Sequence, residues 1–513
     1  MPTDYLLGTD IGTHGTTTVV VTPDGTIEGS AGAEYEIDQP EPSWAEQWPD
    51  VWVEATYSTI RDAIDDTNAN PGDVRGISIS SLYGGTGVPV DDRGDPVAPS
   101  LIWMDRRSTE QVQWVKDNVD LDELFDITGN YVDSYFGYTK ILWLRDNEPR
   151  TWEDIEQFVP PNNYVQYRMT GELVVDYSSA GCLGGVFDID DLEWSEDACE
   201  QLGIPIDKLP ARLVPCESVV GHVTDDAAGV CGLDAGTPVL AGGIDAPMAT
   251  LAAGAYGGGH NVSMMGTSTC WGTIHSGENL SKQFVSMPHV ADSSEQIYTF
   301  GGSATGGALI EWFTNEFCQA EQQAGELVDL EAFDLLNTKA EEIPPGSEGL
   351  VALPYFKGER SPIWDADARG NVLGLTLYHE KAHVYRALME ATAYSLQHNI
   401  EIADEIGLPL EPETSLVGGV SNSELWTQIL ADVTGREMVV PAGGVGAPLG
   451  DAFLAGVGTD LFDGYDAITD WIGRDRVHAP DPAAHETYSD YYEIYTGLYR
   501  KLKNDMHDLA RLA

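Results

Sequence analysis

One pattern occurs twice in this chain and restricts the folds open to it. Tyr5-Leu6-Leu7 runs into Gly8-Thr9-Asp10-Ile11-Gly12-Thr13-His14-Gly15-Thr16-Thr17-Thr18, and Val19-Val20-Val21 follows. Both flanks are short, apolar and rich in strand formers, which predicts strand, tight turn, strand. The theme returns at Asn261-Val262-Ser263-Met264-Met265, with the turn Gly266-Thr267-Ser268-Thr269 and then Cys270-Trp271-Gly272-Thr273-Ile274. Two copies about 255 residues apart imply two similar domains, each offering one hairpin to a shared cleft. At 513 residues the chain has room for two or three domains.

The chemistry of the first turn is read from its residue types. Three glycines allow close backbone approach to a ligand and positive φ, and five threonines add hydroxyl donors. A concave turn of this kind suits phosphate oxygens. Asp10 is a carboxylate at the end of an apolar strand, and beside phosphates it makes sense with a divalent cation between them. The plainer alternative is a Gly/Thr hairpin with a surface acid.

Charge narrows the function classes. There are 84 acidic against 26 basic residues, a formal net charge of −58, spread along the whole chain. With 42% hydrophobic residues the chain still has material for sizeable cores. Such a surface suits concentrated salt, where at about 1 M the Debye length is only about 3 Å, so the expected setting is the cytoplasm of a salt-loving cell. With no basic face, nucleic acid and anionic membranes are disfavoured as partners. The six cysteines, 182, 199, 216, 231, 270 and 318, lack zinc-like spacing and read as reduced thiols. No signal peptide and no stretch of about 20 apolar residues is evident.

Along the chain, Thr26–Ile37 reads as a third strand, 49–68 as a helix, Val74–Ser80 as a buried strand and Ala98–Trp103 as a strand delivering Met104-Asp105-Arg106-Arg107. Residues 108–146 read as helical, with a break near Thr128-Gly129. Pro238–Leu240 forms a strand, followed by two glycines, Asp245 and a helix opened by Pro247. Asp245 suits a general base held at a strand end; its position also suits a helix N-cap. A linker over 254–259 sets the boundary between a first domain, 1–253, and a second, 254–513. The second is more helical, with helices over 305–317, 330–341, 383–405 and 424–434. The glycine clusters at 417–422 and 443–450 bracket the last of these, and a docking helix closes the chain over 485–512.

Taken together, the chain resembles the FGGY carbohydrate kinases from Tyr5 to about Gly458. Tyr135-Phe136-Gly137-Tyr138-Thr139-Lys140-Ile141-Leu142-Trp143-Leu144 is similar to the first family signature, departing at Gly137. Gly370–Leu375 with His383–Glu390 is similar to the second, and Leu353–Pro362 resembles the stretch xylulokinases carry before it. The resemblance implies an α/β fold of two actin/hexokinase-like (ribonuclease H-like) domains around a central cleft, with ATP and Mg²⁺ as cofactors. It implies Asp10 for the metal and Asp245 as base. It places Thr13, Thr16, Gly266, Thr267 and Ser268 in the phosphate turns, and Gly418, Gly419 and Asn422 around the adenosine. Tyr83, Trp103, Asp105 and Tyr135 fall where relatives meet the sugar, although Trp103 and Tyr135 also suit a core. Lys140 reads as structural, and Arg106 and Arg107 as ion-pairing. The partners implied are a small sugar and ATP, and a homodimer is compatible with the reading.

The acceptor region departs from the family. Ser81-Leu82-Tyr83-Gly84 stands where xylulokinases carry Gln-Met-His-Gly and glycerol kinases Arg-Glu, and Ala246 follows the base where others carry Gln or Asn. Glycerol is disfavoured, since its hydroxyls would lack their charged partners. Ile244-Asp245-Ala246 resembles ribulokinases, whereas 353–377 and Trp44-Ala45-Glu46-Gln47 resemble xylulokinases. The expectation is a ketopentose such as D-xylulose, with another ketose, a polyol, an aldonate, or a non-catalytic sugar or nucleotide sensor as alternatives.

Overall fold

The computed structural model of the chain describes residues 4–67, 69–82, 85–328, 330–443 and 446–512. It forms two compact units. The first comprises Met1–Gly258, Ile274–Thr299 and Gly443–Gly473, and the second Gly259–Thr273, Phe300–Ala442 and Arg474–Ala513.

The first unit is built on β1 (Tyr5–Ile11), β2 (Gly15–Val21), β3 (Ile27–Glu34), α1 (Pro49–Asp65), β4 (Val74–Ser81), β5 (Val219–His222), β6 (Pro238–Leu240), β7 (Gly243–Ile244) and α2 (Asp245–Ala252). Strand order is β5-β6-β4-β1-β2-β3, with β7 also on β4. The β1/β2 hairpin is antiparallel, β1 and β6 run parallel to β4, and β5 closes the edge antiparallel to β6. Side chains alternate across β1, so its two faces meet different helices. Thr9 bonds Thr18, which bonds Thr59 of α1. On the other face lies helix Ala447–Gly458. It comes so near that a Cβ on Gly8 would meet the Pro448 carbonyl oxygen at 1.8 Å and the Ala452 nitrogen at 2.4 Å.

The second unit repeats the plan with β8 (Asn261–Met265), β9 (Thr269–His275), α3 (Gly307–Phe317), α4 (Lys381–Glu405), β10 (Glu413–Val417), α5 (Glu424–Thr434), β11 (Glu437–Pro441), β12 (Arg474–His478) and α6 (Pro482–Leu512). Among these strands the order is β9-β8-β10-β11-β12. Its hairpin is antiparallel, the next two strands are parallel and the edge strand is antiparallel. Hairpin, two parallel neighbours and antiparallel edge thus recur in one order, so the repeat read at 5–21 and 261–274 extends beyond the hairpins.

Two expectations change in detail. The strand over 98–103 shrinks to Ser100–Leu101, because the chain doubles back: Asp105 N bonds the Ile102 carbonyl and Arg106 N that of Ser43. The helical run over 108–146 is three helices, Thr109–Asn118, Leu121–Thr128 and Gly137–Asn147. Asp120 caps the second by accepting from the amides of Asp122 and Glu123, and Gly129 ends it at φ 66°. None of the six cysteines is in a disulfide, and Cys270 alone is partly exposed. Among the described residues no helix is long and apolar enough to cross a membrane.

Candidate active site

Three neighbouring parallel strands bring two carboxylates to one end of the first sheet. Asp10 of β1 lies opposite Ser80 of β4, and on the other side of β4 Gly243 of β7 lies opposite the same Ser80. Asp245 follows one residue after β7, as the first residue of α2. The N-cap of α2 is Ile244, whose backbone is extended, so capping is not what Asp245 does; its Oδ1 instead accepts from the adjacent Ala246 amide at 2.7 Å. Burial raises the pKa of Asp245, and this amide opposes the rise. Burial also raises Asp10, with the charge of Asp245 adding to it and the Ser80 hydrogen bond working against it. Two carboxyls that destabilise each other's ionised forms suit a divalent cation, which removes the penalty. Magnesium takes one or two protein carboxylates and fills its octahedron with phosphate oxygens and water. Asp10 and Asp245 offer carboxylates of that number and kind; among the described residues no group of three or more His, Cys, Asp or Glu is arranged to hold a metal.

The first turn works differently from the expectation. Gly8, Gly12 and Gly15 all lie outside the left-handed region. Gly8 admits helix Ala447–Gly458, and a Cβ on Gly15 would lie 2.8 Å from the Ala33 carbonyl oxygen, so these two glycines serve close packing. The turn is closed by Gly12 N on the Gly15 carbonyl at 2.9 Å. Thr9, Thr16 and Thr18 are buried, and Thr16 bonds the Tyr35 hydroxyl, which itself donates to Gly12 O. Thr13 remains partly exposed; its hydroxyl receives the Trp103 indole N–H at 3.1 Å, and Trp103 meets Tyr135 edge-on at 6.5 Å. Thr13, Trp103 and Tyr135 therefore form one group.

Asp105 is fully buried, and its oxygens are spent inside the fold. They accept from the amides of Ala45 and Arg107 and from the Arg107 guanidinium. That guanidinium also pairs with Glu46 and lies 3.6 Å from the Trp44 ring centre and 4.8 Å from that of Trp143. Arg106 pairs with Asp133. Lys140 is fully buried and donates to the Tyr135 carbonyl at 2.9 Å, as its structural reading expects. Tyr83 lies outside the described residues.

The second unit encloses a cavity of about 1140 Å³ lined by Gly266, Thr267, Gly307, Gly419 and Asn422 among others. Four expected nucleotide residues thus share one wall system. Gly418 does not line it; with φ 96° it makes the bend after β10, where a Cβ would meet the Met265 carbonyl oxygen at 2.6 Å. Helix α3 opens beside the second turn, with Gly307 N on the Gly266 carbonyl and Ala308 N on that of Thr267. These amides are taken by the turn, and what the helix N-terminus offers an anion is the positive end of its dipole. Among the described lining residues there is no Lys or Arg, while Glu311, Glu331 and Asp334 are present.

Sequence reasoning missed several members of these sites. The signal for Gly307 in the sequence is the glycine pair at 306–307. Ser80 and Ser78 were visible as small polar residues on one face of a buried strand. Glu359 is buried under the second turn, where Ser303 and the amides of Ala304 and Arg360 bond it.

The N-terminal domain of the FGGY family of carbohydrate kinases matches residues 5–252, and its C-terminal domain matches 261–459. The chain belongs to the FGGY family of carbohydrate kinases. It is accordingly a phosphotransferase of the actin/hexokinase-like α/β fold. A xylulose kinase of Bacillus subtilis (strain 168) is 30% identical over 98% of this chain and 97% of its own. A gluconokinase of the same organism is 28% identical over 99% and 98%. The crystal structure of xylulose kinase from Rhodospirillum rubrum superposes with a TM-score of 0.88 at 29% identity, covering 98% of this chain and all of that one.

Proposed function

We propose that this FGGY kinase transfers the γ-phosphoryl group of ATP to a hydroxyl of a ketopentose, D-xylulose before others. The observation that carries the mechanism is the placement of Asp10 and Asp245, both half-buried, at one end of three parallel strands. Asp245 accepts the proton of the attacking hydroxyl as the oxygen approaches phosphorus. General base catalysis of this kind contributes about 10²–10⁴-fold. Mg²⁺, when bound through Asp10, supplies charge neutralisation to the phosphates. In the second domain, 254–513, Gly266 and Thr267 with the start of α3 receive the phosphates, and Gly418, Gly419 and Asn422 shape the adenosine end. In the first, 1–253, Trp103 and Tyr135 meet the sugar, with Tyr83 a further candidate from the sequence, while Asp105 braces the fold through Arg107 and the Ala45 amide.

D-Xylulose rests on the 30% identity to a xylulose kinase and on the xylulokinase-like stretches at 44–47 and 353–377. Gluconate is the competing substrate, from the 28% identity to a gluconokinase. The acidic surface supports a salt-rich cytoplasm as the working place. The test is ADP release across ketoses, polyols and aldonates in molar KCl. Turnover highest with D-xylulose is the expected result. Turnover highest with gluconate would reassign the substrate, and sugar binding without ADP release from any of them would make the chain a sensor.

A further inference from the structure

Asp451 lies on helix Ala447–Gly458 and is fully buried. Its Oδ1 accepts from the Ser78 hydroxyl at 2.7 Å and its Oδ2 from the Ser80 hydroxyl at 2.5 Å. Ser80 Oγ also lies 3.3 Å from Asp10 Oδ1. Ser78 and Ser80 share one face of β4, both fully buried. Gly8, opposite Ser78 in register, lets the helix close in, since a Cβ there would come within 2.9 Å of the Asp451 Cβ. A carboxyl is therefore held in a dry layer, bonded to the Ser80 hydroxyl that also meets Asp10.

We propose that Asp451 is a positioning residue for the cation site, fixing the Ser80 hydroxyl against Asp10 and so fixing the Asp10 carboxylate. This rests on the reading of Asp10 as the metal-holding residue. A serine hydroxyl has one proton and free rotation; at 2.5 Å from Asp451 its oxygen has one place to be. A second ionised carboxyl so near Asp10 would be costly without solvent. Burial drives the Asp451 pKa well up, and the charge of Asp10 adds to it. Held by Asp451, the Ser80 oxygen keeps its place 3.3 Å from Asp10 Oδ1. Partners that orient metal ligands in this way are worth about 10–100-fold in metal affinity or activity when removed.

The test compares Asp451→Ala, Asp451→Asn, Ser80→Ala and Asp10→Asn with the parent protein in molar KCl. Calorimetry measures ADP affinity with and without Mg²⁺, and turnover gives the Mg²⁺ concentration for half-maximal rate. Asp451→Ala and Ser80→Ala should each raise that concentration about 10-fold or more and shrink the gain Mg²⁺ gives to ADP binding. Metal-free ADP affinity should not change, and the double variant should be no worse than either single one. Asp451→Asn keeps both hydrogen bonds, its amide donating to Ser80, and should stay near the parent. Should Asp451→Ala fail to fold, Ser80→Ala decides, being the smaller change. If Asp10→Asn weakens Mg²⁺ dependence while Ser80→Ala leaves it at the parent value, the inference is wrong and the Asp10 reading stands. If Asp10→Asn leaves it unchanged as well, both are wrong.

Discussion

At the scale of single residues, the family signature around Lys140 and Trp143 is explained by what these side chains hold. Trp143 and Trp44 face the Arg107 guanidinium, which is 2% exposed and carries Asp105 and Glu46. Lys140 fastens the carbonyl of Tyr135; burial, and then the charge of Arg106, pull its pKa down to about 7. Replacing Arg107 by Met would leave Asp105 buried without its counter-charge, and breaking a buried pair costs about 3–5 kcal/mol. Urea unfolding of Arg107→Met should register that loss. A loss below about 1 kcal/mol, the scale of an exposed ion pair, would contradict it. Asp105 also marks a limit on reading residues from sequence. An acid two positions after a tryptophan looks the same whether it faces a sugar or an arginine, and only the fold shows Arg107 turned back onto it. Asp10 and Asp245 stand out as candidates in the sequence because a lone carboxylate beside an apolar strand and glycines has few structural uses.

At the scale of elements, the sheet and the helix laid on it explain the first glycine of the opening turn. Gly8 is a packing residue, and helix Ala447–Gly458 rests on its missing side chain. Gly8→Ala would force backbone atoms apart. Overpacking costs about 1–3 kcal/mol, and the shift reaches Asp10 two residues on, so both the urea midpoint and the Mg²⁺ dependence should worsen. Wild-type behaviour in both would contradict this packing account. The hairpins and the helix Glu424–Thr434 were legible because their signals are local: strand formers around a Gly/Thr turn, and Ser423 and Gly435 at the helix ends. The pairing of β4 with β1, β6 and β7 was not. Parallel partners lie far apart along the chain and leave no turn between them to read. The same holds for Asp451, whose partners Ser78 and Ser80 are more than 370 residues away.

For the whole molecule, charge and catalysis set separate tests. With a net charge of −58, self-repulsion should weaken the fold in dilute buffer, and screening should restore it. Tm should therefore rise with KCl, by about 2–4 °C for each kcal/mol of repulsion screened at domain size; a Tm independent of salt from 0.1 to about 2 M, where the Debye length is below about 3 Å, would contradict it. The central claim concerns Asp245. To act as base it must be ionised, and burial raises its pKa above the ordinary carboxylate value. Turnover should thus be steady at high pH and fall as pH drops through that raised value. The most direct measurement is the pH profile of kcat for the parent protein beside Asp245→Asn, each in molar KCl with saturating sugar and MgATP. The account predicts that the variant loses about 10²–10⁴-fold in kcat, loses the acid limb, and keeps its ADP affinity. A variant with parental kcat and an unchanged acid limb would contradict it.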